Sequence, residues 1–215
     1  MKSVLLIGAG LFGKHIAEEL NDRGHEIMAV DIDEEKINSV IDLVLNAQIG
    51  NACNPAFLSS LDIPSFDVCI VTIGEDFQAS LETTSLLKEL GARHVISRAS
   101  NETHKKFLLR NGADEVVYPE KQLAAWTAIK CTSLNIIDYI PLPGEYAIYE
   151  IHAPAEWANR SIGELDVRKK YKINILAIKK NGVLNPEITS ATVIDYSDSL
   201  LVLGTEHTVN KCFHL

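Results

Sequence analysis

The stretch Ser3-Val4-Leu5-Leu6-Ile7-Gly8-Ala9-Gly10-Leu11-Phe12-Gly13 leaves this chain few ways to fold. Its unbroken apolar run reads as a strand buried on both faces, and Lys14 to Leu20 then carries apolar residues at helical spacing. The glycines between them have separate tasks. Gly8 permits a tight turn, Gly10 lets the backbone approach a phosphate, and Gly13 lets helix and strand pack closely. The N–H groups at the start of the helix face an anion, helped by the helix dipole. Glycines in this spacing also occur in ordinary turns, so context decides. Gly24 ends the helix, Ile27-Met28-Ala29-Val30 is a second apolar strand, and Asp31 stands at its end, where a ribose diol would be held.

The rhythm continues along the chain. Asp33 to Ile41 opens with acids and turns amphipathic, Gln48-Ile49-Gly50 is a short strand, and Asn54-Pro55 begins a helix running to Leu61. Asp67 to Ile73 is a buried strand, Glu75 to Leu90 a helix stopped by Gly91, and His94 to Ser97 a strand. Asn101 to Arg110 reads as a helix and Glu115 to Tyr118 as a sixth strand. This alternation predicts an α/β fold, a Rossmann-like doubly wound parallel sheet. A helix from Glu120 to about Ser133 and an extended segment at Ile136–Ile140 follow. Pro141-Leu142-Pro143-Gly144 then marks a boundary. The expected division is a nucleotide-binding domain at 1–133, a linker at 134–144, and a small α+β domain at 145–215. That last domain has strands at Tyr146–His152, Ile173–Ile178 and Ser199–Leu203, and a capping box from Ser161 to Glu164. It is slight enough to seek a partner surface, most simply another copy.

Composition narrows the classes. A net charge of −9 argues against nucleic acid or an anionic membrane surface as the main partner. No apolar run approaches the roughly 20 residues that span a bilayer. No secretory leader is expected, because strand residues begin at position 3. The four cysteines (53, 69, 131 and 212) form no CxxC pair, and Cys69 lies within an apolar run, so a reducing cytoplasm is the simplest setting.

The motifs GAGLFG with VDIDEEKIN, VTIGEDFQASLETT, ISRASNETH with GADEVVYPE, SIGELDVRKKYKINILAIKKNG and the closing DSLLVLG span the whole chain. Together they resemble the cytosolic regulatory subunits of Ktr/Trk-type potassium uptake systems, built from an RCK domain. The resemblance implies a first domain that binds NAD(H) or an adenine nucleotide (ADP, ATP or AMP) as effector. It implies dimers joined into an octameric ring beneath a membrane potassium-translocating subunit, and a smaller TrkA-C-like domain that dimerises and in some relatives binds cyclic di-AMP. The chain would then be cytoplasmic, peripheral to the inner face of the cell membrane through its partner. Two positions depart from the family pattern. Relatives often carry arginine after the second glycine, reaching toward the terminal phosphate of ATP, where this chain has Leu11. The acid after the third strand is Asn51 here. Both changes leave NAD(H), ADP or AMP open.

The expected nucleotide-binding set is Gly8, Gly10, Leu11, Phe12, Gly13, Asp31, Asp33, Asn51, Ala52, Thr72, Gly74 and Arg98. Asp31 is the ribose candidate, with a helix-start acid as the alternative, and Asp33 fits the helix-cap role better. Arg98 follows a strand at the ligand-binding edge of the sheet, where it would meet a phosphate or form a surface ion pair. Thr72 and Gly74 end a strand, so they would face an adenine or ribose, or simply turn the chain. Glu120 resembles the family glutamate that helps hold a divalent cation near the phosphates; its plainer reading is an acid opening a helix. Hard cations need several oxygens, and the histidines show no ligand spacing. In the second domain, Arg168, Asn174 and Ile175 match positions that contact the cyclic dinucleotide in relatives, although Pro186 falls earlier than the corresponding proline. An interface ion pair would equally account for Arg168.

A nicotinamide-dependent dehydrogenase shares this fold and fingerprint. It would need a proton-handling group beside the nicotinamide, and no region of adequate size offers a clear His, Lys or Tyr set. A free-standing nucleotide sensor acting on another protein is the remaining alternative. The reading the motifs favour is a non-enzymatic gating subunit.

Overall fold

A computed structural model of the chain describes residues 1–132 and 135–214. It divides into two compact units, Met1–Lys121 and Gln122–Leu215. The first unit contains β1 (Ser3–Ile7), α1 (Leu11–Asp22), β2 (Glu26–Asp31), α2 (Glu34–Asn38), β3 (Asn46–Ile49) and α3 (Pro55–Ser59). It continues through β4 (Val68–Val71), α4 (Phe77–Glu89), β5 (Val95–Arg98), α5 (Glu102–Arg110) and β6 (Glu115–Val117) into α6 (Pro119–Thr132).

The six strands form one sheet in the order β3-β2-β1-β4-β5-β6, with parallel pairing throughout. The expected doubly wound architecture is therefore present. The chain moves outward from β1 to β3, returns across the sheet, and resumes at β4 beside β1. That reversal opens a crevice beyond the carboxyl ends of β1 and β4. After Ser3, β1 has no polar position because both of its faces are covered. Leu5 and Ile7 join Leu58, Val71, Leu87 and Val95 in one core cluster, while Leu6 packs with Ala17 and Ile27 in another.

Side-chain caps set the helix starts. Asp33 accepts from the Glu35 N–H at 2.9 Å, Asn54 from Ala56 at 3.0 Å, and Asn101 from His104 at 2.8 Å. Asp76 caps α4 by accepting from Ala79 at 2.9 Å, so that helix starts at Phe77, two residues after the expected Glu75. α2 is shorter than its amphipathic pattern suggests and gives way to a 3₁₀ turn at Ile41–Leu43.

The second unit contains β7 (Ile136–Pro141), β8 (Tyr146–His152), α7 (Ile162–Leu165), α8 (Val167–Tyr171), β9 (Asn174–Lys180), β10 (Val183–Asn185), β11 (Ser199–Thr205) and α9 (Glu206–Phe213). Its sheet is antiparallel, in the order β10-β9-β11-β8-β7, around a core that includes Ile151, Ile178, Leu200, Val202 and the Trp157–Phe213 ring pair. The expected capping box is made: Ser161 accepts from the Glu164 N–H, and the Glu164 carboxylate accepts from the Ser161 N–H.

The expected linker at 134–144 is corrected. Residues 136–141 are strand β7, paired with β8 along its length. Pro141-Leu142-Pro143-Gly144 is the hairpin connection between them. Gly144 takes φ +83°, and the Leu142 N–H donates to the Tyr146 carbonyl at 3.0 Å. Proline, which has no N–H, is tolerated there because β7 is an edge strand with no second partner strand among the described residues. The expected boundary at 133/134 lies outside the described residues.

His104 is fully buried in α5, its ring 4.7 Å from that of Phe77. Its Nδ1 lies 3.3 Å from the Ser100 N–H that donates to it, and burial pushes its pKa below 6.5. A histidine whose folded pKa lies below its unfolded value contributes stability above the unfolded pKa and loses it as the pH falls below that value. Denaturant midpoints should therefore fall between about pH 7.5 and about pH 5.5. His104→Gln should flatten that slope, and an unchanged slope would remove His104 as its source.

Candidate nucleotide-binding site

The turn after β1 is built around missing side chains. Gly8 has φ +99°, and a Cβ there would lie 2.6 Å from the Thr72 hydroxyl. A Cβ on Gly13 would lie 2.1 Å from the Gly8 carbonyl oxygen, so α1 packs against the turn at a distance only glycine permits. Gly10 is different: nothing lies within 4 Å of where its Cβ would be, and its φ of −66° is open to any residue. Gly10 is also the N-cap of α1 and brings no capping side chain. The first N–H groups of this 12-residue helix are thus left for something outside the helix to fill.

Neighbouring strands hold the turn. The Gly8 N–H donates to the Val30 carbonyl at 2.8 Å, and the Thr72 hydroxyl donates to the Gly8 carbonyl at 2.6 Å. Asp31, at the end of β2, accepts the Ala9 N–H on Oδ2 at 2.7 Å and the Asp33 N–H on Oδ1 at 2.9 Å. Its carboxylate is thus fixed beside the turn, with lone pairs remaining on both oxygens. Asp33 caps α2, the role its position in the sequence favours.

The loop after β3 is tied to the same place, since the Gly50 N–H donates to the Asp31 carbonyl at 2.9 Å. Within it the Asn51 side chain folds back to accept from Cys53 at 2.9 Å, and Ala52 is buried in the core. Thr72 is buried as well. The hydroxyl and the alanine methyl therefore shape the site from behind. Neither role is visible in the sequence, because each depends on which strand lies beside β1.

Across β4 and β5 the structure gathers Phe12, Gly74, Arg98 and Glu120, residues far apart in the chain. The Arg98 guanidinium pairs with the Glu120 carboxylate, and its carbon lies 5.6 Å from the centre of the Phe12 ring. A Cβ on Gly74 would meet Arg98 Nη1 at 2.5 Å, so Gly74 makes room for the guanidinium. The ion-pair reading of Arg98 is the one this conformation holds. The backbone N–H of Glu120 and then Arg98 keep the Glu120 carboxyl below the usual carboxylate range. Leu11, at the first position of α1, is 77% exposed. Among the described residues, no three His, Cys, Asp or Glu side chains cluster as a metal site would require.

In the second unit, Arg168 and Asn174 line an open hollow of about 530 Å³ together with Lys169 and Lys172. Ile175 instead packs against the unit's core. Lys169 and Lys172 are the residues that the sequence reading missed; the run Arg168-Lys169-Lys170 was the available signal.

These features define a Rossmann-type domain, with no side-chain cap on its first helix, joined to a small α+β domain. Comparison with known proteins gives the same division. The TrkA-N domain matches residues 4–119 and the TrkA-C domain residues 146–215. The chain belongs to the family of TrkA/Ktr proteins that these domains define. It is 38% identical over 210 residues to the Ktr system potassium uptake protein C of Bacillus subtilis (strain 168), covering 98% of this chain and 95% of that protein. The fold is similar to the crystal structure of the GsuK RCK domain, with a TM-score of 0.70 at 18% identity over 100% of this chain and 47% of that one. It is also similar to the GsuK channel bound to NAD, with a TM-score of 0.67 at 16% identity over 96% of this chain and 38% of that one. The chain thus spans less than half the length of these structural neighbours.

The glycines give a paired test. Gly13→Ala should cost at least about 3 kcal/mol of stability, the upper end of overpacking, because the clash is with backbone. Gly10→Ala should leave stability within about 0.5 kcal/mol while weakening nucleotide binding by about tenfold. Thermal unfolding and calorimetry with NAD and ADP read both effects. A Gly10→Ala protein of normal affinity would mean that no ligand approaches the turn there.

Proposed function

We propose that this chain is a cytosolic regulatory subunit of a potassium-translocating membrane protein, and that a nucleotide gates it without being consumed. The observation that carries the reading is the match to a Ktr potassium uptake protein through both domains at 38% identity. The unfilled N-terminus of α1 supports the nucleotide part, as does the presence of NAD in a structural neighbour of similar fold. In this reading the pyrophosphate of NAD(H), or the phosphates of ADP, ATP or AMP, lie over Gly8, Gly10 and Gly13 and the first turn of α1. Asp31 receives the ribose hydroxyls on its free lone pairs, and Arg98, over the Phe12 ring, offers a cation for phosphate. Leu11 adds no charge that would single out the terminal phosphate of ATP. A divalent cation at Glu120 would need further oxygens from the phosphates.

The polar side chains around the turn support an effector over a hydride donor. Asp31 and Thr72 are occupied in holding the turn, and Arg98 is paired with Glu120. With the remaining lone pairs of Asp31 given to the ribose, none of the three is left to carry a proton to a substrate. The second unit would join copies into dimers and, with the first, into an octameric ring under the pore. Its hollow at Arg168, Lys169, Lys172 and Asn174 would take the phosphates of cyclic di-AMP. No described helix is long and apolar enough to cross a membrane, so the pore would belong to a partner chain.

A nucleotide switches such a ring only if it binds two ring shapes with different affinity. The purified protein should be a multimer without ligand, and solution scattering should show a change of shape with NAD(H), ADP or ATP. Potassium flux through the partner pore should follow the same ligands. A monomer indifferent to nucleotide, or turnover of a reduced cofactor with a metabolite, would overturn the reading. Asp31→Ala should weaken binding of the effective nucleotide by about 1.5–3 kcal/mol, the scale of a charged hydrogen bond lost. Unchanged calorimetric affinity for every ligand that binds would remove Asp31 from the ribose site.

A further inference from the structure

The Arg98–Glu120 pair suggests how ligand charge is felt outside the site, on the footing that the site binds nucleotide phosphate. We propose that this pair is a latch which nucleotide phosphate opens: the phosphate takes Arg98 from Glu120 and so loosens the first turn of α6. The two partners stand on elements of different kinds. Arg98 is the last residue of β5, held in the sheet by pairing with Val117, whereas Glu120 is in the first turn of α6. When the pair separates, the helix end is the side free to shift.

The guanidinium is poised for exchange. It lies over the ring of Phe12, the second residue of α1, the helix whose N-terminal N–H groups have no side-chain cap and favour an anion. Its Nε is buried and has no hydrogen-bond partner among the described residues, so Glu120 does not satisfy the whole fork. A phosphate offers more acceptor oxygens than one carboxylate and can engage two guanidinium donors together. Glu120 and a phosphate also repel each other, so both cannot stay close to Arg98 without a cation between them.

The neighbouring residue gives the latch its direction. Lys121 pairs with Glu102 at the start of α5, so two successive residues of α6 are tethered to other elements of the first unit. The carboxylates of the two tethers are alike, Glu120 54% and Glu102 53% exposed, but the Arg98 side chain is 23% exposed against 64% for Lys121. Water therefore screens the cation of the second tether more than that of the first. The division between the two units falls within this helix, directly after Lys121. Loosening its first turn is thus a route by which phosphate occupancy reaches the segment that connects them.

The test uses the full-length protein in chelator, with ADP as probe and adenosine as its phosphate-free control. Glu120→Gln removes the competing charge and keeps the shape. It should tighten ADP about three- to tenfold, the worth of a partly exposed pair, and leave adenosine unchanged. Arg98→Gln combined with Glu120→Gln should abolish the gain, which ties it to the pair. Hydrogen exchange should rise across the first turn of α6 when ADP binds the unaltered protein, and should already be raised in Glu120→Gln. Unchanged or weaker ADP binding by Glu120→Gln, a gain that adenosine shares, or no ligand-dependent exchange in α6 would overturn the latch while leaving the nucleotide site standing. Failure of the unaltered protein to bind ADP, NAD or adenosine would instead overturn the nucleotide reading itself, and the latch with it.

Discussion

The approach of α1 to the turn after β1, at a distance that leaves no room for a Cβ on Gly13, is the constraint on which the first unit depends. Three further bonds hold that approach in place, and each comes from a neighbouring strand. Val30 and Asp31 bind the turn from β2, and Thr72 binds it from just beyond β4. The turn is therefore stitched to both sides of the crevice it overlooks. Gly10 can then stand open without becoming mobile, because the residues around it are fixed. A phosphate meeting this turn would find its N–H donors already oriented, so little ordering cost is left to binding.

The charges around the crevice have an order that follows from the sheet. Asp31 ends β2 on one side of β1, and Arg98 ends β5 beyond β4 on the other. The N-terminus of α1 lies between them. A ligand with hydroxyls at one end and phosphates toward the other fits this polarity in one direction only. Reversing it would bring phosphate against the Asp31 carboxylate, a like-charge contact in a partly buried place. The orientation of such a ligand would thus be set by topology as much as by any single contact.

What could be read in the sequence was local, and what could not was relational. The glycine turn, the Asp33 and Asn54 caps and the Ser161–Glu164 box depend on residues within a few positions of one another, and all were legible; Asn101, read as the first residue of a helix, is instead its cap. Asn181-Gly182 was legible too and was passed over: both residues take positive φ, +49° and +81°, and join β9 to β10 in a two-residue hairpin. Pro141 to Gly144 was misread because a proline-rich hairpin and a linker look alike until the strand before it finds a partner. The position of Thr72 under Gly8 requires knowing that β4 returns beside β1. The inward facing of Ala52 and Ile175, and the meeting of Arg98 with Glu120, likewise depend on packing that no local pattern encodes.

The second unit sets a different problem, since it concentrates positive charge in a chain whose net charge is −9. Arg168, Lys169, Lys170 and Lys172 are all exposed and fall within one short helix and its end. That helix is bounded by Asp166 and Lys172, whose φ angles of +46° and +62° cost energy for residues with a Cβ. Among the described residues, only Lys169 of the four has a carboxylate partner, Asp166 at 3.7 Å. Like charges at this spacing repel, and water alone moderates the repulsion. A neutral ligand in the hollow would worsen it by displacing that water. An anion with two separated phosphates would relieve it at more than one cation together, so the electrostatics of the hollow favour a polyanion over a sugar or an apolar metabolite.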